Sequence, residues 1–206
     1  MNVRLHYDFE FTAGIWMDDE LRFNRYKLGL YMITGTDNSF NQSTALERIR
    51  YFLSKVSRSV FINQENIEIV EKFIDLGVPV ITLPGDPYDQ FIELALYPKF
   101  NAITEDNLIV TDIEIASMFG DFVKYLHCDE EDLGPFAEDN WWSKPTLEQF
   151  NKKLLHKGKN VVKITRYPDW KEVDLAWESD QTPEDEYEYV VEFTPDNSVT
   201  FEKDES

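Results

Sequence analysis

Residues 3–11 read Val-Arg-Leu-His-Tyr-Asp-Phe-Glu-Phe, and Val3, Leu5, Tyr7, Phe9 and Phe11 recur every second position. That period marks a strand with one buried face. A second strand fits residues 24–34, with Tyr26, Leu28, Leu30 and Met32 on one side, so the two read as a hairpin. Either Ala13-Gly14 or the acidic run Asp18-Asp19-Glu20 is suited to turning the chain. After the polar stretch from Thr36 to Asn41 the period changes: Leu46, Ile49, Phe52, Leu53 and Val56 fit a helix opening at Ser43 or Thr44. Ser59 to Asn63 predicts a short strand, Glu65 to Leu76 a helix closed by Gly77, and Val78 to Leu83 a strand rich in β-branched residues. Pro84-Gly85-Asp86-Pro87 is a turn, and Tyr88 to Phe100 predicts a third helix that Pro98 is placed to shorten. Leu108 to Ile115 alternates again, with Asp121 to His127 as its hairpin partner.

The order is therefore β-β-α-β-α-β-α-β-β over residues 1–127. Consecutive strand–helix–strand steps flanked by strand pairs predict an α+β fold, a mixed sheet with about three helices. Beyond it lies a charged loop from Cys128 to Pro135 and a helix opening near Pro145 and running to about Lys157. Strands follow at Val161–Tyr167, Val173–Trp177, Tyr187–Phe193 and Val199–Glu202, with Pro195-Asp196-Asn197 turning between the last two. The expected organisation is an α/β core domain, 1–127, followed by an acidic helix plus β-meander appendage, 128–206.

Charge sharpens this picture. The 206 residues hold 40 acids and 20 bases, a formal net charge of −20. Residues 128–206 contribute −12 of it and residues 1–127 contribute −8, so the excess is skewed toward the C-terminal region. Such a field repels phosphate backbones and anionic headgroups, so the expected partner is a protein with a basic surface, with no direct nucleic-acid backbone binding. No stretch approaches the roughly 20 apolar residues of a membrane helix, and residues 1–10 alternate instead of forming a leader. The lone Cys128 allows no internal disulfide. A cytoplasmic location is expected, with no membrane.

Candidate chemistry is sparse. Asp86 and Asp89 lie between a strand end and a helix start, where a carboxylate pair suits a divalent cation or acid–base work, and where capping suits them equally. His6 and Asp8 share one strand face, and His127 and Asp129 repeat the spacing, so pairing of their strands would assemble a metal site. His127 and Cys128 are neighbours whose side chains point to opposite strand faces, which rules against a thiol–imidazole pair. No phosphate loop, dinucleotide fingerprint or Cys-x-x-Cys pattern occurs, and no cofactor is expected. Lys152, Lys153, His156, Lys157 and Lys159 form the one basic cluster, on the face of a predicted helix. Trp141, Trp142, Trp170 and Trp177, with Asp129, Glu130, Glu131 and Asp132 nearby in sequence, form an aromatic set rimmed by acids, the composition of a protein interface.

Ala45-Leu46-Glu47-Arg48-Ile49-Arg50-Tyr51-Phe52, Val60-Phe61-Ile62-Asn63-Gln64 and Leu108-Ile109-Val110-Thr111-Asp112 through Tyr125-Leu126-His127 resemble small uncharacterised proteins of T4-like tailed phages, over roughly residues 1–140. The resemblance implies expression inside a bacterial host and implies no activity. The sequence favours a non-enzymatic interaction protein. The alternatives are a metal-assisted hydrolase on Asp86/Asp89 or on the His6/Asp8 strand, and a structural or assembly component of undefined oligomeric state.

Overall fold

The computed structural model describes residues 4–128, 133–136 and 170–180. Its framework is one six-stranded mixed sheet in the order β4-β3-β1-β2-β5-β6. The first pair, β1 (Arg4–Met17) and β2 (Glu20–Thr34), is a long antiparallel hairpin. Asp18 and Asp19 turn it, both with positive φ, 54° and 59°. A two-residue loop of that hand matches strand twist, and aspartate tolerates the left-handed region better than most residues. The strand thus continues six residues past Phe11, and Ala13-Gly14 lies inside it rather than at the turn.

Helix α1 (Ser39–Val56) begins four residues before the first predicted position. Asn38 is the reason: its side-chain oxygen accepts from the Phe40 and Asn41 amides at 2.9 and 3.2 Å, so the polar stretch becomes a capped first turn. Strand β3 (Val60–Asn63) then lies parallel to β1, and α2 (Ile67–Asp75) leads to β4 (Val80–Leu83), parallel to β3. Gly77 ends this helix as predicted, at φ 73°, with the Val78 amide reaching back to the Phe73 carbonyl at 2.9 Å. Helix α3 (Asp89–Thr104) carries Pro98 without ending there. Asn101 ties its last turns to β5 (Leu108–Ser117), accepting from the Val110 amide at 2.8 Å and donating to the Val110 carbonyl at 3.1 Å. Strand β6 (Tyr125–Cys128) closes the sheet.

Parity along the strands decides the layers. Phe11, Ala13 and Ile15 of β1 and Tyr26, Leu28, Leu30 and Met32 of β2 share a core with Ala45, Ile49 and Phe52 of α1 and Ile92, Leu96 and Phe100 of α3. On the opposite face, Val60 and Ile62 pack with Val70 of α2, with Trp16 set edge-on to Phe73 at 5.9 Å. So α1 and α3 cover one face, and α2 covers only the β3–β4 end of the other. Over β1, β2, β5 and β6 that second face carries no further element among the described residues.

The close of β2 depends on one glycine. A Cβ on Gly35 would lie 1.7 Å from the Asp106 carbonyl oxygen, while the Gly35 amide donates to the Asn107 carbonyl at 3.2 Å. Two backbones meet here, and neither can rotate away. Gly35→Ala is therefore expected to cost about 2 kcal/mol or more in a urea unfolding titration, whereas Gly77 has open space around it.

Val173–Trp177 is not a strand. Trp170–Val173 is a 3-10 turn, followed by a second at Glu178–Asp180. The segment folds inward because Trp170 and Trp177 have a cation to enclose: the Arg48 guanidinium carbon lies 4.8 Å from the Trp170 ring centroid and 3.6 Å from that of Trp177. Arg48 also donates to the carbonyls of Leu175 (2.8 Å) and Ile103 (3.3 Å) and to the Glu105 carboxylate (2.7 Å). Residues 170–180, assigned by sequence to an appendage, join the same hydrophobic cluster as α1 and α3. The helix expected near Pro145–Lys157 and the strands expected at 161–167, 187–193 and 199–202 lie outside the described residues, as does the basic cluster Lys152–Lys159.

Candidate interaction surface

The turn between β5 and β6 is where polar groups are buried and apolar groups are exposed. Asn24 and Ser117, both buried, hold it in place. The Asn24 side-chain oxygen accepts from the Phe119 amide at 3.2 Å, and the Ser117 hydroxyl oxygen accepts from the Gly120 amide at 3.1 Å. The Met118 amide donates to the Arg25 carbonyl at 3.0 Å, and the Phe122 amide to the Ser117 carbonyl at 2.8 Å. Asp121 and Phe122 both take left-handed backbone, φ 51° and 56°. For a bulky aromatic that conformation is unfavourable and marks a constrained turn.

The constraint turns apolar side chains outward. Phe23 is 67% exposed and Phe119 52%, and Met118, Phe122 and Val123 are exposed with them. The Lys27 ammonium lies 5.0 Å from the Phe122 ring centroid. Two residues before Phe23, at the start of β2, Leu21 is exposed next to the Asp18-Asp19-Glu20 turn. Exposed apolar residues gathered on one turn and the start of the strand beside it have the composition of a binding surface, whereas single scattered apolar residues are ordinary.

Asp89 sits beneath this turn. It is buried at the first position of α3, with the Ser117 hydroxyl beside it. Burial pushes its carboxyl above the usual carboxylate range, and the Ser117 hydrogen bond works against that rise. The Tyr26 hydroxyl is also pushed up, by burial first, with the Asp89 charge adding to it. Asp86 points elsewhere: it is exposed and accepts from the Asn63 side-chain amide at 3.0 Å. The two carboxylates thus serve different strand ends and do not face one another as a pair.

The His6/Asp8/His127 arrangement does not form either. His6 and Asp8 are in contact, Nε2 to Oδ1 3.5 Å, on the open face of β1, where His6 stacks on Tyr31 at 4.4 Å. His127 lies on β6, separated from β1 by the two strands β2 and β5, and is buried against Tyr97 of α3 on the opposite face. Asp129 lies outside the described residues. Among the described residues no group of three or more His, Cys, Asp or Glu side chains is placed to hold a metal ion. Cys128 is half-buried opposite Asp112 in the β5–β6 register. No described helix is long and apolar enough to cross a membrane.

Of the aromatic set expected at an interface, Trp170 and Trp177 are buried around Arg48 and present no free face. Trp141, Trp142, Asp129, Glu130, Glu131 and Asp132 lie outside the described residues. Among the described residues the exposed aromatics are instead Phe23, Phe119 and Phe122 around this turn, with Tyr31, Phe40 and Tyr88 exposed elsewhere. Phe23 was readable: Tyr26, Leu28, Leu30 and Met32 fix the core parity of β2, and an odd-numbered Phe23 must face the other way.

No family model matches the chain, and no curated protein matches it. Among solved structures it is similar to an uncharacterised protein from Wolinella succinogenes, at 11% identity and a TM-score of 0.47, over 63% of this chain and 99% of that one.

Proposed function

We propose that the protein is a non-enzymatic interaction protein that docks a partner with a basic surface through the Phe23 and Met118–Val123 patch. The observation that supports it most is the patch itself: buried Asn24 and Ser117 side chains are used to hold a turn whose phenylalanines remain in water. A sequence under selection for stability alone gains by burying or replacing those rings. The net charge of −20 and the Asp18-Asp19-Glu20 edge favour a positively charged partner, through faster encounter and rejection of anionic surfaces. The resemblance to T4-like phage proteins adds a setting, the interior of a bacterial host.

The test is affinity capture with wild type and with the Phe23→Ser/Phe119→Ser variant, which replaces exposed side chains only. Wild type is expected to retain one or a few basic proteins at low salt and release them near 0.5 M, where screening lengths fall to roughly 4 Å. The variant is expected to unfold at the same temperature and to lose them. An unchanged set of captured proteins contradicts the reading.

A further inference from the structure

We infer that two copies of this chain pair through the outer edge of β1, residues Arg4–Glu10, in antiparallel register centred on Tyr7. Strand β3 joins β1 only from Gly14 to Trp16, so among the described residues Arg4 to Ala13 have β2 on one side and no strand on the other. The Gly14 amide donates to the Ser59 carbonyl at 3.0 Å, which fixes the direction of the strand's polar groups. Gly14 points outward, so the even-numbered residues of the unbroken strand direct N–H and C=O toward that open edge, and the odd-numbered ones toward β2. Arg4, His6, Asp8 and Glu10 therefore present four amides and four carbonyls in a row that no strand among the described residues pairs.

The side chains suit one partner above others. The segment reads Arg4-Leu5-His6-Tyr7-Asp8-Phe9-Glu10. Turned about Tyr7 and laid against itself, Arg4 meets Glu10 of the second copy, His6 meets Asp8, Leu5 meets Phe9 and Tyr7 meets Tyr7. All four polar pairs oppose a basic residue to an acidic one on the exposed face, and all three apolar pairs fall on the half-buried face that continues the core. The polar pairs coincide with the hydrogen-bonding positions, two main-chain bonds each, and the Tyr7 pair with a non-bonding position. Parity, charge and hydrophobicity thus agree on a single register, and a slip of one residue breaks all three. Residues 11–13 separate this pairing from β3. The edge is also of the length and pattern that a monomer is expected to protect, and no proline or bulge interrupts it. This surface is separate from the Phe23 patch.

The test uses the full chain with Cys128→Ser. Sedimentation at about 50 µM is expected to show a dimer. Arg4→Glu/His6→Glu sets like charges at all four polar pairs and is expected to weaken it about tenfold or more. Adding Asp8→Lys/Glu10→Lys swaps the charges and is expected to restore it; circular dichroism confirms that each variant folds. Tyr7→Cys places two thiols at the non-bonding pair, about 4.5 Å between Cα atoms and within disulfide reach. It is expected to cross-link on mild oxidation, whereas Leu5→Cys alone is expected not to, because its partner is Phe9. A monomer at 50 µM, a dimer indifferent to charge reversal, or cross-linking by Leu5→Cys in place of Tyr7→Cys overturns the inference.

Discussion

Arg48→Ala is expected to destabilise the protein by about 3–5 kcal/mol in equilibrium unfolding. Arg48 is 2% exposed, and its guanidinium serves two carbonyls and a carboxylate while filling the space between two indoles. Truncation leaves the Leu175 and Ile103 carbonyls short of a donor, at about 1–3 kcal/mol for each group left buried and unsatisfied. It also opens a void between the rings. Most of this cost comes from the geometry of the fork rather than the ion pair. Glu105 is 40% exposed, so Glu105→Gln is expected to cost no more than about 1 kcal/mol. Arg48→Lys is expected to recover less than half of the loss, because an ammonium cannot reach all three acceptors in one plane. Trp170 and Trp177 supply the readout: their emission shifts to longer wavelength when residues 170–180 detach. A cost below about 1 kcal/mol for Arg48→Ala contradicts the account of how this segment is held.

The second large effect is on the pH dependence of stability. Lys99 of α3 is fully buried, its ammonium 5.8 Å from the Phe52 ring centroid, and burial pushes its pKa down to about 7. In the unfolded chain a lysine keeps its proton to about pH 10.4. Between about pH 7 and pH 10 the unfolded state therefore binds more protons than the folded state, and stability rises with pH. A shift of that size corresponds to a rise of up to about 5 kcal/mol over the interval. Below pH 7 both states hold the proton and this contribution is flat. Above pH 10 the sign reverses through Tyr26, whose raised pKa keeps its proton on in the folded state after the unfolded state has lost it. Lys99→Met is expected to flatten the slope between pH 7 and 10. Wild-type and variant curves that run parallel across that interval contradict the assignment.

Periodicity carried most of the fold because each long element has one buried stripe. The hairpin, the three helices and the two parallel strands all follow from where Leu28, Ile49, Val70 and Ile81 recur. Sequence reading failed where a polar side chain changed the local rule. Asn38 started α1 early by capping it, whereas of the two hairpin turns the sequence offered, the Asp18-Asp19-Glu20 run is the one used. Val173–Trp177 alternates like a strand, yet Arg48 captures the indoles of Trp170 and Trp177, and the segment runs as an irregular stretch between two 3-10 turns. A signal for that was present: Arg48 lies between Ala45 and Phe52 on the apolar stripe of α1, and a cation there needs aromatic or carbonyl partners. The His6–His127 idea failed for a topological reason. Strand order decides which residues meet, and nothing local records that β2 and β5 lie between β1 and β6.

The reading of this protein as a binding module rests on the outward rings beside β2. The most direct measurement places a benzophenone amino acid at Phe119 and, as a control, at Tyr88, which is exposed and outside the patch. Irradiation in cells that express the protein is expected to give a cross-link to one basic protein from position 119 and none from position 88. No cross-link from 119, or the same products from both positions, contradicts the account.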